Sequence, residues 1–222
     1  MQNYLERPFC AVIVNGVFSH AERLLPLLDQ AEWIIAADGG ANWLFSQGRT
    51  PHLLIGDLDS VSPSVLQELE RSGCPIRRYP TAKDETDTEL ALLEAAQRSD
   101  RILVLGALGG RIDHELANIL LLSMPQLGEK KVILFDGRSF IFLLRGSGSL
   151  RGCPGDTISL LPLGGDVEGI ETEGLEYPLH NETLFFGPAR GISNVLLAEE
   201  AHITFQHGLL LVIHTPQEYL EG

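Results

Sequence analysis

The sequence predicts α/β plus all-β: an N-terminal doubly wound parallel α/β domain followed by a C-terminal antiparallel β-sandwich. Between Phe9 and Phe135, short apolar runs rich in β-branched residues alternate with helical stretches, the pattern of a parallel sheet covered on both faces. From about Gly137 the helical periodicity stops, and short β-rich stretches recur between Gly and Pro turns. That change of character sets the expected domains at 1–137 and 138–222. At 222 residues the chain is long enough to bury a core without metal or disulfide staples.

Phe9 to Asn15 reads as a buried strand, and a helix follows from about His20 to Gln30. Trp33 to Ala37 is the second strand; it stops at Asp38-Gly39-Gly40, with a helix running on through Leu44. Leu53-Leu54-Ile55 is the third, ending in Gly56-Asp57-Leu58-Asp59-Ser60. Ser62-Pro63 supplies an N-cap and a first-turn proline for the next helix. Arg77 to Tyr79 is a short strand. Thr86-Asp87-Thr88-Glu89 matches a capping box before the apolar-periodic run from Leu90 to Ala96. Ile102 to Leu105 is another strand; Gly106 to Asp113 then turns into a helix carrying Leu116, Ile119, Leu120 and Met124. Val132 to Phe135 closes this half. In the second half, β-rich stretches are expected near 139–144, 157–161, 183–186, 191–198 and 202–214, with turns at 146–148, 153–155 and 163–165 and no helix.

Composition narrows the function. Apolar residues make up 44% and charged ones 21%, which excludes disorder, collagen and coiled coil. The formal net charge of -14 repels phosphate backbones and anionic lipid, so neither nucleic acid nor a membrane surface is the expected partner. An anionic substrate would need a local correction, such as a metal ion, an Arg or a helix N-terminus. Cys10, Cys74 and Cys153 are odd in number and far apart, with no C-x-x-C, so the expectation is buried small hydrophobes in a reducing cytoplasm. No signal peptide or membrane-span-length apolar run is visible.

In an open parallel sheet, ligands sit outside the carboxyl ends of the strands. Asp38, Asp57, Asp59, Asp84, Asp87 and Asp113 would all converge on that edge. Carboxylates so close repel one another unless a cation sits among them. Hard oxygen ligands without paired Cys or His favour Mg²⁺, and Mg²⁺ implies phosphates. Singly, each motif has a plainer reading: Asp38-Gly-Gly as a turn, Thr86 and Asp87 as a helix start, Arg111-x-Asp113 as a surface ion pair, His114 as a polar helix residue. Asp57-x-Asp59 is harder to dismiss, because two acids directly after an apolar strand are costly without a purpose. The chain has no P-loop, no G-x-G-x-x-G after the first strand, where Asn15-Gly16 stands instead, and no G-x-S-x-G elbow.

Taken in order, Ala36-Ala-Asp-Gly-Gly-Ala-Asn, Gly56-Asp-Leu-Asp-Ser, Lys83-Asp-Glu-Thr-Asp, Gly109-Gly-Arg-Ile-Asp-His and Gly191-Ile-Ser-Asn resemble the thiamine pyrophosphokinase family. The resemblance implies transfer of a pyrophosphoryl group from ATP to the hydroxyethyl group of thiamine, with Mg²⁺, by a homodimer with shared active sites. It implies Asp57, Asp59 and Asp87 as metal ligands, with Thr86, Arg111 and Asp113 completing the phosphate site. Asp38, Gly39, Gly40, Asn42 and Lys83, with Arg111, would border the nucleotide, and Tyr177, Ser193 and Asn194 would meet thiamine. Where related sequences often read Gly-Leu-x-Trp, this chain has Gly174-Leu175-Glu176-Tyr177, a weaker π-face for a cationic ring. Two other readings are kept: a haloacid-dehalogenase-like phosphatase with Asp57-x-Asp59 as its D-x-D motif, and a non-catalytic nucleotide- or metabolite-sensing module.

Overall fold

A computed structural model of the chain describes residues 7–220. The chain divides into two compact units that part between Gly137 and Arg138.

The first unit holds β1 (Cys10–Ile13), β2 (Trp33–Ala37), β3 (Leu53–Gly56), β4 (Ile76–Arg78), β5 (Arg101–Leu105) and β6 (Lys131–Phe135). They pair in parallel in the order β6-β5-β1-β2-β3-β4. Helices α1 (Ala21–Leu28), α2 (Gly40–Ser46), α3 (Pro63–Arg71), α4 (Asp87–Ala96) and α5 (Ile112–Leu121) fill the crossovers. The chain steps outward from β1 to β4, then returns to β5 on the far side of β1. This reversal between β1 and β5 opens a crevice at the strands' carboxyl ends. The returning crossover, α4, packs over β1, β2 and β3; α2 packs on α3, and α4 on α5.

All four residues of β1 and β3 are buried, and β2 and β5 are buried after their first residue. Such continuous apolar runs fit a sheet without a solvent face, and each buried Leu, Ile or Val contributes about 1.5–3 kcal/mol. Glu94 of α4 is one of the few buried polar residues of this unit. It accepts hydrogen bonds from Arg77 and Arg98, and the Arg98 guanidinium lies 5.0 Å over the Trp33 ring. A buried carboxylate paired twice avoids the penalty of an isolated charge.

Thr86 caps α4 as expected: its Oγ1 accepts the Glu89 N–H at 3.1 Å. Ser62 precedes α3 but makes no side-chain cap; its own N–H donates to Asn42 Oδ1 at 2.9 Å. The stripe on α5 faces outward, with Ile112, Leu116 and Leu120 exposed at 70%, 55% and 54%. Met124 falls beyond the end of that helix.

The second unit is antiparallel. β12 (Asn194–Val195), β9 (Thr157–Pro162), β14 (Leu210–Thr215) and β7 (Phe140–Leu144) pair in that order. A second sheet runs β11 (Glu182–Leu184), β10 (Val167–Glu173), β13 (Glu200–Thr204) and β8 (Gly148–Arg151). Sequence patterning did not foresee β8 or β10. The register of β10 slips between Glu168 and Ile170, where Gly169 has φ 64. This bulge buries Val167, Ile170 and Thr172, which strict alternation would not place on one face. The stretch at 202–214 is two strands, turned at Gly208 with φ 108.

Asp156 and His214, both buried, pin this unit together. Asp156 accepts hydrogen bonds from the Cys153 and Gln217 N–H groups at 2.8 and 2.9 Å, and its Oδ2 lies 2.8 Å from His214 Nε2. Burial holds the His214 imidazole below its ordinary 6.5, although Asp156 pulls the other way. Burial alone would raise Asp156, but the two N–H donors and His214 outweigh it and lower its pKa. Both directions fit a neutral imidazole donating to a carboxylate. As pH falls below 6.5 the unfolded chain takes up a proton that native His214 refuses, so stability declines. The Asp156 contribution is lost at still lower pH, through its lowered folded value. His214→Gln keeps a donor without the titration, so its urea midpoint should drop less between pH 7 and 5 than that of the wild type. Asp156→Asn should cost about 2 kcal/mol at pH 7. Equal midpoint shifts in wild type and His214→Gln would dismiss His214 as the source.

Candidate active site

A cavity of about 470 Å³ opens in the first unit where β1, β2, β3 and β5 end and where α4 and α5 begin. Its floor follows from close backbone contact. A Cβ on Gly16 would stand 2.0 Å from the Gly106 carbonyl oxygen, so the turns after β1 and β5 meet as only glycine allows. Gly40 lies as tightly against β1, with a Cβ position 2.1 Å from the Ile13 oxygen.

Asp38, Asp57 and Asp59 gather at this edge, each with a ligand oxygen within 4.8 Å of the others. Asp38 directly follows β2, in the left-handed region at φ 45; it donates its N–H to Ile55 O at 2.9 Å and accepts the Ser60 N–H at 3.3 Å. Burial raises its pKa against the lowering hydrogen bonds from Gly39 and Ser60. Leu58, at φ 69, turns the chain between the other two acids. A branched residue there stores strain of order 1–3 kcal/mol, the kind a functional loop retains. Asp57 Oδ1 accepts the Asp59 N–H at 3.2 Å. Asn42 ties the loop down, donating to Ser60 O at 2.8 Å while accepting from Ser62 N–H.

Asp87 opens α4 beside this group. Its Oδ1 is buried and meets the Lys83 ammonium at 3.0 Å, as an ion pair rather than a directed hydrogen bond. The same ammonium lies 3.5 Å from Asp57 Oδ2. Burial pulls the Lys83 pKa down, but Asp87 and Asp57 together raise it above the ordinary lysine value. Arg111 and Asp113 are exposed and ion-paired at 2.6 Å, which lowers the Asp113 pKa.

Of the expected residues, Asp38, Asp57, Asp59, Thr86, Asp87 and Arg111 line the cavity. Gly39, Gly40, Asn42, Lys83 and Asp113 do not: the glycines pack on the Asn15 side chain and on β1, Asn42 is a tether, and the other two hold lining residues. Asn15, Gly16, Ser60, His114, Glu115 and Asn118 line it too, and sequence reasoning gave none of them a firm role. Helical spacing supplied a signal, since residues 111, 114, 115 and 118 share one face of α5.

Tyr177, Ser193 and Asn194 lie in the second unit. Tyr177 is 64% exposed. Ser193 is exposed at φ 57, its N–H donating to Ser159 Oγ at 3.0 Å. Asn194 is buried, and its amide makes three hydrogen bonds: Oδ1 accepts the Tyr177 and Val195 N–H groups at 3.0 and 2.9 Å, and one of the two Nδ2 hydrogens is donated to Tyr177 O at 2.8 Å. Asn194 is thus a strut that sets the backbone of Tyr177, the residue expected beside it at the ligand.

Comparison with known proteins finds the same division. The family model described as thiamin pyrophosphokinase, catalytic domain, matches residues 24–134, and that of the thiamin pyrophosphokinase vitamin B1 binding domain matches residues 149–210. Thiamine pyrophosphokinase of Bacillus subtilis is 30% identical over 217 residues, spanning 91% of this chain and 98% of its own. Thiamine pyrophosphokinase 1 of Oryza sativa subsp. japonica is 30% identical over 233 residues, spanning 92% and 86%. The crystal structure of the Bacillus subtilis protein superposes with a TM-score of 0.84 at 27% identity, covering 94% of this chain and 99% of that one.

If Asn194 is a strut, its loss should register as stability before any ligand is added. Asn194→Ala leaves the Tyr177 N–H and carbonyl unpaired and should cost about 2 kcal/mol. Asn194→Asp keeps the acceptor and should fall between. Urea denaturation of both variants checks this; unchanged midpoints would return the amide to ligand contact.

Proposed function

The chain belongs to the thiamin pyrophosphokinase family, and from that premise we propose that its carboxylate-lined cavity is the seat of pyrophosphoryl transfer. The reaction carries a pyrophosphoryl group from ATP to the hydroxyethyl group of thiamine, giving thiamine diphosphate and AMP. The single observation carrying the assignment of the site is the convergence of Asp38, Asp57 and Asp59 within 4.8 Å at the carboxyl edge of the sheet. The all-oxygen donor set and the buried Asp87 Oδ1 beside it fit a hard divalent cation. Asp57, Asp59 and Asp87, with Asp38, would hold Mg²⁺, which when bound neutralises charge on the phosphoryl oxygens.

The chain's own residues do the rest by position. The thiamine hydroxyl attacks the β-phosphorus in line with departing AMP, so orientation and charge neutralisation dominate over covalent work. Arg111, exposed at the cavity mouth, offers a planar fork to phosphoryl oxygens. Thr86 and the α4 N-terminus present donors to an anion. Of the two carboxylates expected to accept the hydroxyl proton, Asp59 lines the cavity, whereas Asp113 lies outside its lining and is paired with Arg111. Tyr177 offers its ring face to the thiamine cation.

The reversal at β1, with α2 on α3 and α4 on α5, supports reading the first unit as doubly wound; the two antiparallel sheets support a sandwich for the second. Free Cys10, Cys74 and Cys153 suit a cytoplasmic enzyme. Among the described residues, no helix is long and apolar enough to cross a membrane. The phosphatase alternative is disfavoured, since its D-x-D motif follows a first strand and Asp57-x-Asp59 follows β3.

Asp57→Asn should leave the fold intact and lower AMP release with thiamine by at least about 100-fold. Near-wild-type turnover in a folded variant would remove Asp57 from the site, and phosphate release without thiamine would favour the phosphatase.

A homodimer with shared active sites completes the proposal. Exposed Ile112, Leu116 and Leu120 in one unit, and Phe185, Phe186, Ile192 and Leu197 in the other, are apolar surface suited to a second copy. Mixing Asp57→Asn with Tyr177→Ala chains under subunit exchange should return roughly a quarter of wild-type activity, because half the dimers are mixed and each has one intact site. No recovery with exchange confirmed by mass would place each site within one chain.

A further inference from the structure

Lys83 lies in the stretch 79–86, which carries neither helix nor strand and joins β4 to α4. Ala82, Asp84 and Glu85 around it are exposed, yet its own side chain is only 11% exposed. A lysine side chain is seldom enclosed this far without a partner for its ammonium. The ammonium stands 3.0 Å from Asp87 Oδ1 and 3.5 Å from Asp57 Oδ2. Asp57 therefore serves two masters: it belongs to the Asp38–Asp59 cluster, and one of its oxygens faces Lys83.

We propose that Lys83 is a resident counter-ion of the acidic edge, and that a divalent cation must displace its ammonium from Asp57 as it loads. This rests on the reading of that edge as a metal site. Two cations drawing on one carboxylate oppose each other, because each lowers the negative potential the other needs. Without metal, Lys83 keeps Asp57 and Asp87 together against their mutual repulsion. With metal, the ammonium is repelled, and its flexible stem and irregular loop let it swing away. The bare protein thus binds metal more weakly than its four carboxylates alone would.

The test is binding of Mn²⁺ alone, without nucleotide or thiamine, followed by loss of the free-ion EPR signal. Lys83→Met and Lys83→Gln remove the competing charge and should each bind Mn²⁺ about tenfold more tightly than the wild type, a typical coupling between two sites. Lys83→Arg keeps the charge and should stay within about twofold of wild type. Circular dichroism of each variant establishes that it is folded, and either neutral variant suffices. Equal or weaker Mn²⁺ binding by the neutral variants would overturn the counter-ion role while leaving the metal site standing. No Mn²⁺ binding by any of the four proteins would overturn the metal site itself, and the counter-ion role with it.

Discussion

Mutual repulsion among carboxylates is the constraint around which the first unit is arranged. Asp38, Asp57 and Asp59 bring ligand oxygens within 4.8 Å of one another at the sheet edge. Left to itself such a group would splay apart or protonate. The chain prevents splaying with fixed devices. Leu58 is held at φ 69, Asn42 grips both ends of the 60–62 loop, and Ser60 N–H donates to Asp38. Behind them, Gly16 and Gly40 let backbone meet backbone, so the edge rests on β1 rather than on side chains free to relax. Fixed dipoles and charges of this kind need no reorganisation when a charged ligand arrives.

The second unit shows the same principle with fewer charges. Asp156 gathers two N–H donors and an imidazole, joining the 153–156 turn, β14 and the chain beyond it. Asn194 does the equivalent for Tyr177 without any charge, mimicking a strand partner for both backbone groups of that residue. In each case a buried polar side chain fixes irregular backbone where no ladder runs. Exposed Tyr177 and strained Ser193 therefore sit on a rigid support, which suits recognition better than a loose loop.

The parallel half was legible because its signal is redundant. Each strand is an apolar run that ends in a polar turn, and the open-sheet rule then located Asp38, Asp57, Asp59 and Asp87 by counting strands. The β-rich half was less so. A single bulge at Gly169 shifts the phase of β10, and its Glu-rich composition hides three inward residues. Side-chain tasks were the least legible of all. Asn42, Asn194 and Lys83 stand in motifs that resemble a ligand site, yet two of them bind backbone and the third binds the acids. A motif reports which residues a site requires, but whether a residue touches the ligand or holds one that does depends on distances of an ångström or two. Asn15 and Asn118 escaped for the opposite reason: neither belongs to an acidic or glycine-rich signature, and only the fold brings them to the cavity.

If the edge is the seat of pyrophosphoryl transfer, its basic groups bear on how a chain of net charge -14 would accept polyphosphate. Lys83 is engaged by Asp57 and Asp87, and Arg111 by Asp113. Neither is an open anion receptor. A bare polyphosphate would have to take each cation from a carboxylate already in contact with it, while facing Asp38 and Asp59 as well. Such an exchange gains little, since one anion replaces another and the carboxylates are left crowded. A polyphosphate that arrives with a divalent cation would reverse the balance. On the proposed function, the cation would take Asp57 and Asp87, and the Lys83 ammonium they release would become available to the phosphoryl oxygens. On that reading the ion pairs seen in the chain would act as discrimination against the uncomplexed anion, because specificity can be set by what the wrong ligand must break as well as by what the right one makes.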